Sequence, residues 1–300
     1  MKRITFILCC IISSFTFGQE LTKKVGDIEI RLIEHYYKRN SNYELTKRKS
    51  NNLNRPFVKM FFDSHGNLLK KIKYGTHHNS DLKLIGRVQV FTYLNKRLDS
   101  TLEYYSECFC EKKIEPYFYS RYKYNKSDLL KEELTYVYST DSLQSKKTFE
   151  YNSNLNKIKS FINPTYYYQS EFDSLNRITI LKQIYEDKVR WDWKYNYTNN
   201  QRIGIFQTYY KDGKDYSKKE IQTFNGNGLL IETEEKYISR SGLDVKTKIF
   251  YDENGMISKI EQYEAYGKEY VFVSYTDIKI KSKLELNSNI VEKINEQINI

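Results

Sequence analysis

The stretch IFYDENGMISKIEQY (249–263) has a near copy almost two hundred residues earlier, MFFDSHGNLLKKIKY (60–74). In each, an aromatic precedes Asp, a Gly follows three residues later, and an alternating run ends on Tyr. Anchoring on that aromatic gives eight copies: Phe62, Tyr93, Tyr124, Tyr151, Phe172, Tyr197, Phe224 and Tyr251, spaced 21 to 31 residues apart. The next residue is Asp or Asn in six of the eight: Asp63, Asn125, Asn152, Asp173, Asn225 and Asp252. A short polar side chain there can hydrogen-bond backbone two residues on and start a turn. The fourth residue after the aromatic is Gly66, Gly228 or Gly255 in three copies, and Asp128 or Asn176 in two more. These residues tolerate the positive φ of a tight connection. The run that follows alternates with period two, as in Leu68, Ile72, Tyr74 and Leu130, Leu134, Tyr136. That is the mark of a half-buried strand.

Each unit therefore reads as strand, short turn, strand, and a longer variable connection. Eight hairpins in series give about sixteen strands. One hairpin cannot bury its own apolar face, so neighbours must pair edge to edge. The expected fold class is all-β: serial antiparallel β-hairpin repeats forming one long curved sheet or partial β-shell, Tyr and Leu inside, charge outside. The three prolines, Pro56, Pro116 and Pro164, fall between units, where they interrupt no ladder.

The chain opens MKRITFILCCIISSFTFGQE. A basic start, the short apolar run Ile4 to Phe17, and small residues Thr16 and Gly18 before Gln19 have the form of a secretory signal peptide. The expected organisation is a signal peptide over 1–18, a divergent capping hairpin over 19–55, the repeat domain over 56–280 (about eight units), and a C-terminal tail or short helix over 281–300. In the last segment Ile290, Val291, Ile294 and Ile298 line one side of a helix behind an Asn or Ser cap, suited to covering an open sheet edge. The expected location is exported: periplasm, cell surface or extracellular. No transmembrane helix is expected after signal removal.

The net charge is +11, and losing Lys2 and Arg3 with the leader leaves +9. Basic and acidic residues are interspersed, which reads as a solvated surface; the same excess suits an anionic envelope surface. No basic cluster accompanies a nucleic-acid-binding motif, so nucleic acid is not an expected partner. Cys108 and Cys110 are the cysteines of the mature chain, and as a Cys-x-Cys pair they either bridge each other in a strained ring or stay as thiols. His35, His65, His77 and His78 have no metal-site spacing to them, and no metal or other cofactor is expected. Asp252-Glu253-Asn254-Gly255 echoes part of a calcium loop but lacks the later ligands, so it reads as a turn.

FYDENGMISKIEQY and FFDSHGNLLKKIKY resemble the YD-repeat (Rhs-like) family of secreted and surface bacterial proteins. The match rests on Phe62-Asp63 and Tyr251-Asp252, on Gly66 and Gly255, and on Leu68 and Met256. It spans about residues 56–280 and is strongest in the first, seventh and eighth copies. The resemblance implies hairpins wound into a β-shell, in some members around a toxin, and an association with carbohydrate or cell-surface binding. No separate toxin domain follows the repeats here, so the resemblance does not carry that role. YYKDGKDY (209–216) also resembles a MORN-type hairpin repeat.

No nucleophile elbow, zinc signature or phosphate loop occurs, and the recurring Asp63, Asp173 and Asp252 share one turn position, so no enzyme is expected. The candidate ligand-binding stretch is WDWKYNY (191–197), where Trp191, Trp193, Tyr195 and Tyr197 share one strand face. Such a row either stacks against sugar rings or fills a concave core. PYFYSRYKY (116–124) poses the same choice. The favoured function is a non-enzymatic exported scaffold that binds an envelope polysaccharide or a surface protein. The alternatives are a structural protein pairing through a sheet edge and an outer-membrane β-barrel.

Overall fold

A computed structural model describes residues 24–39, 45–49, 57–75, 84–105, 116–209, 216–238, 243–267 and 269–298. The signal-peptide stretch and the pair Cys108 and Cys110 lie outside the described residues.

Among the described residues nineteen strands alternate with turns, and one helix follows. In chain order they are β1 (Ile28–Arg39), β2 (Leu45–Lys49), β3 (Val58–Phe62), β4 (Leu68–Gly75), β5 (Leu84–Leu94), β6 (Arg97–Tyr105), β7 (Phe118–Tyr124), β8 (Leu130–Val137), β9 (Ser142–Tyr151) and β10 (Lys157–Asn163). Then come β11 (Tyr166–Phe172), β12 (Ile178–Tyr185), β13 (Lys188–Tyr197), β14 (Gln201–Thr208), β15 (Ser217–Phe224), β16 (Leu230–Tyr237), β17 (Val245–Tyr251), β18 (Ile257–Tyr266), β19 (Glu269–Ser282) and α1 (Ser288–Ile298).

Every strand from β3 to β19 pairs antiparallel with the next. The ring is then completed by β1, which pairs with β3 on one side (Ile30 facing Met60) and with β19 on the other (Ile30 facing Ile280). The result is a closed 18-stranded antiparallel barrel, with β2 a short extra strand on the far end of β1. This corrects the expected open curved sheet or partial shell, and with it the YD-repeat resemblance, whose wound shell it replaces, and the MORN-type runner-up. The reason lies in β1. It carries no copy of the repeated phrase, yet its hydrogen-bonding groups satisfy both edges that a row of hairpins leaves bare.

The hairpin turns follow the repeat. Asp63 Oδ1 accepts from the N–H groups of His65 (2.8 Å) and Asn67 (2.9 Å), and Asp252 Oδ1 from Asn254 (2.9 Å) and Met256 (3.0 Å). Asn125, Asn152, Asp173 and Asn225 do the same two and four residues on. The fourth position after the aromatic has positive φ in all six, at Gly66, Asp128, Leu155, Asn176, Gly228 and Gly255.

Past several turns the ladder shifts register, for example where Tyr93 faces Leu98, Tyr124 faces Leu130 and Phe224 faces Leu230. Such an irregularity disturbs the local ladder. The anchor tyrosine of the following unit often supplies a donor there: Tyr124 OH donates to Leu98 O (2.9 Å), Tyr151 OH to Leu130 O (2.8 Å), Tyr197 OH to Ile178 O (2.7 Å) and Tyr251 OH to Leu230 O (2.8 Å). The repeated aromatic thus ties one hairpin to the one before it.

The main core sits at the closing seam. Ile28, Ile30 and Leu32 of β1, Val58, Met60 and Phe62 of β3, and Ile249, Met256, Ile257 and Ile278 pack with Ile290, Val291, Ile294 and Ile298 of α1. Burying each such aliphatic side chain contributes about 1.5–3 kcal/mol relative to leaving it in water. Asn287 caps the helix by accepting from Ile290 N (3.1 Å). α1 then docks on the turns of the first and last repeat. Lys293 Nζ donates to His65 O (3.0 Å); Asn295 Nδ2 donates to Gly255 O (2.9 Å) while its Oδ1 accepts from Ile257 N (3.0 Å). The last turn of α1 has no basic residue of its own, and Lys71 of β4 donates to Gln297 O (3.3 Å) in that place.

Candidate functional site

Residues directly opposite across a ladder share a face, so one inward residue assigns the whole wall. A single cavity of about 460 Å³ touches Leu32, Val58, Lys73, Glu220, Thr233 and Gln297, from β1, β3, β4, β15, β16 and α1. Strands so far apart in the ring meet only across the interior, so these residues face the lumen. Following the registers from Gln222 to Arg202 and from Arg202 to Tyr197 places Trp191, Trp193, Tyr195 and Tyr197 on the lumen wall. The second aromatic stretch divides: Phe118 and Tyr122 share the lumen face with Ser120, whereas Tyr119 faces out.

On β13 the rings are packed against their own wall. Trp193 and Tyr195 stack at 5.8 Å and 6°. Tyr195 faces Gly204 on β14, and a Cβ on Gly204 would stand 2.9 Å from both rings, so only glycine admits this arrangement. Arg202 lies 5.0 Å from the centre of the Tyr195 ring and Lys218 5.4 Å from that of Trp193. The result is a row of cation, two rings and cation. Phe206 contacts Trp191, Trp193 and Tyr216, and Tyr168 contacts Trp191, which extends the aromatic wall over β11 to β15. Burial pushes the Tyr195 hydroxyl up to about 12 against the opposing pull of Arg202.

Gly204, Arg202, Phe206 and Lys218 are the members of this wall that the repeat pattern does not expose. Their contacts run across strands and depend on register. An isolated Gly inside an alternating strand is the sequence signal that was available, since it marks a close approach.

At the seam the inner face is apolar and filled by α1; elsewhere the lumen is polar. Glu103 accepts from Arg87 and Tyr105, Lys147 donates to Glu133 (3.0 Å), Lys218 to Glu235 (2.7 Å), and Gln183 to Tyr166 OH (2.7 Å).

The outer wall is charged at mid-strand. Glu132 lies between Lys123 (3.1 Å) and Lys146 (3.0 Å), whose hydrogen bonds hold its carboxyl below the usual range. Glu171 pairs with Lys182 (2.7 Å), Glu232 with Lys246 (3.4 Å) and Glu261 with Lys259 (2.6 Å). An outer apolar patch on β3 to β6 joins Phe61, Ile72 and Val88, with Val25 packed against it.

Among the described residues no group of three or more His, Cys, Asp or Glu is placed to hold a metal, and no helix is long and apolar enough to cross a membrane.

No protein-family model and no curated protein sequence matches the chain. Among solved structures, a porin-like protein from Bacteroides uniformis is 10% identical over 84% of this chain and 96% of its own, with a TM-score of 0.43. The Photorhabdus luminescens Tc holotoxin pore is 10% identical over 81% of this chain and 16% of its own, at 0.28. The TcdB2-TccC3 complex is 10% identical over 84% of this chain and 20% of its own, at 0.32. Likenesses at these scores carry no functional argument, and the closed ring rests on the pairing of β1.

Closure also corrects the favoured functional reading. A scaffold binding an envelope glycan or a surface protein through an exposed aromatic platform needs rings that face outward, and these face inward. A protein pairing through a sheet edge needs an edge, and the ring of β1 and β3–β19 has none. The third reading, a β-barrel, matches the architecture.

Proposed function

We propose that this chain is a non-catalytic barrel of the cell envelope that works through its lumen, admitting small polar solutes past an aromatic wall. One observation carries the reading: from β6 to β15 the interior is lined with half-buried aromatic, charged and amide side chains, while α1 fills only the inner face of the seam strands β1, β3, β17, β18 and β19. A packed structural core would be apolar and dry. Barrels of roughly 16–18 strands are wide enough to leave an aqueous interior. The leader-like start MKRITFILCCIISSFTFGQE supports export.

The chain's two tryptophans, Trp191 and Trp193, both face the lumen and report on it directly. A small neutral quencher such as acrylamide should quench their fluorescence, and a quencher attached to a large polymer should not. Failure of acrylamide, or equal quenching by both, overturns the reading.

Closure and strand number also support a barrel set in the outer membrane. The charges of Glu132, Lys182, Glu232 and Lys259 on the outer wall set the condition for that version, because a lipid-facing band at mid-strand excludes them. Mature protein that stays monodisperse without detergent places the barrel in water; protein recovered only with outer-membrane lipid places it in the bilayer.

A further inference from the structure

The 460 Å³ cavity beside the inner end of α1 holds both kinds of charge. On β4, Lys71 and Lys73 point into it; on β15 and β1, Glu220 and Glu34 do. Lys71 is engaged with the Gln297 carbonyl, and burial, together with neighbouring Lys73 and Arg87, holds its ammonium below the usual range. Lys73 is exposed, and among the described residues it forms no ion pair; neither does Glu34 or Glu220. The near contact of Glu220 is the neutral amide of Gln222 (2.8 Å). Thr233, Thr247, Gln262 and Thr276 line the wall between Glu220 and Glu34, with Met60 and Ile260 as apolar floor. Opposite charges that share one cavity without meeting each other are complementary to a molecule that carries both.

Building on the lumen reading above, we propose that this cavity binds a small zwitterion of the amino-acid or dipeptide class. Its carboxylate is held by Lys73 with Lys71, its ammonium by Glu220, and its backbone amide by the threonine and glutamine side chains. The Met60 and Ile260 floor accommodates a short aliphatic side chain.

The test is calorimetric titration of the mature chain with L-alanyl-L-alanine, its N-acetyl form and its C-terminal amide. The parent dipeptide should bind, and each blocked form should bind about tenfold more weakly, the loss of one charge-assisted contact. Lys73→Met should reproduce the amide's loss and Glu220→Gln the acetyl form's, while unaltered protein with blocked ligands keeps the answer independent of how the variants fold. Blocked forms that bind as well as the parent overturn the proposal. If acrylamide reaches Trp191 and Trp193 and no dipeptide binds, the zwitterion site falls and the lumen reading stands. If acrylamide fails as well, both fall.

Discussion

The seam and the opposite wall of this barrel are built on different terms. At the seam, β1, β3, β17, β18, β19 and α1 contribute a contiguous cluster in which Ile28, Ile30, Met60, Phe62 and Ile294 are fully buried. From β6 to β15, nearly every inward side chain keeps partial contact with solvent, and aromatic stacking and hydrogen bonds replace dry packing. The seam keeps the ring shut; the far wall is left wet and chemically varied. Dry packing and solvent contact are thus assigned to opposite sides of one ring, and each can be perturbed without the other.

The largest effect should come from the helix. Ile294→Ala should cost about 2–5 kcal/mol, because a fully buried side chain leaves a cavity in the tightest part of the structure. Leu181→Ala on the half-exposed wall should cost about 1 kcal/mol. Urea denaturation of the two variants reads the contrast directly, and equal losses would erase the distinction between seam and wall.

Next are two glycines in the same turn position. Gly66 and Gly228 both have φ near +76°, but a Cβ on Gly66 would lie 3.3 Å from the Ile290 Cα and the Lys293 Cδ, whereas one on Gly228 meets nothing. Gly228→Ala should cost about 1 kcal/mol of backbone strain alone. Gly66→Ala should cost that plus the displacement of α1, seen as a lower melting temperature than that of Gly228→Ala.

Comparable to the glycine pair is Asn295→Ala, which leaves Ile257 N–H and Gly255 O without their helix partner; about 1–3 kcal/mol is expected in thermal unfolding, at the low end if water reaches the groups. Tyr151→Phe should cost about 1 kcal/mol for one hydroxyl-to-carbonyl bond, and combined with Tyr251→Phe, several units away, the losses should add.

The smallest effect at neutral pH belongs to Tyr195, and it grows in alkali. Burial raises the Tyr195, Tyr93 and Tyr263 hydroxyls to about 12 from an ordinary 10.0. Their folded forms hold the proton more tightly, so their contribution is fully present below 10.0 and is lost as the pH climbs through about 12. Spectrophotometric titration of the tyrosines should show unfolding within that window, and Tyr195→Phe should reduce the alkaline loss without changing stability at pH 7.

The hairpins were legible because their causes are local. Asp63 and Gly66 act within five residues of each other, and the Leu130, Leu134, Tyr136 alternation needs only the pleat. The helix face of Ile290, Val291, Ile294 and Ile298 was legible for the same reason. Closure was not, because Ile28, Ile30 and Leu32 look like any alternating strand, and nothing local tells them to bridge residues 58–62 and 278–282. The site divides in the same way. A shared face for Trp191 to Tyr197 follows from period two, but whether that face looked out or in depended on closure. The approach of Gly204, Arg202 and Lys218 depended on a register set two strands at a time.

Eight hairpins supply β3 to β18; the two remaining strands come from opposite ends of the chain, with Ile28 meeting Ser282. The ring is therefore among the last things the polypeptide can make. Contacts of such sequence separation form slowly, and until β19 has emerged the nascent chain carries bare strand edges open to foreign pairing. On the export reading proposed above this ordering is an advantage, since the ring cannot close before the last strand has been made.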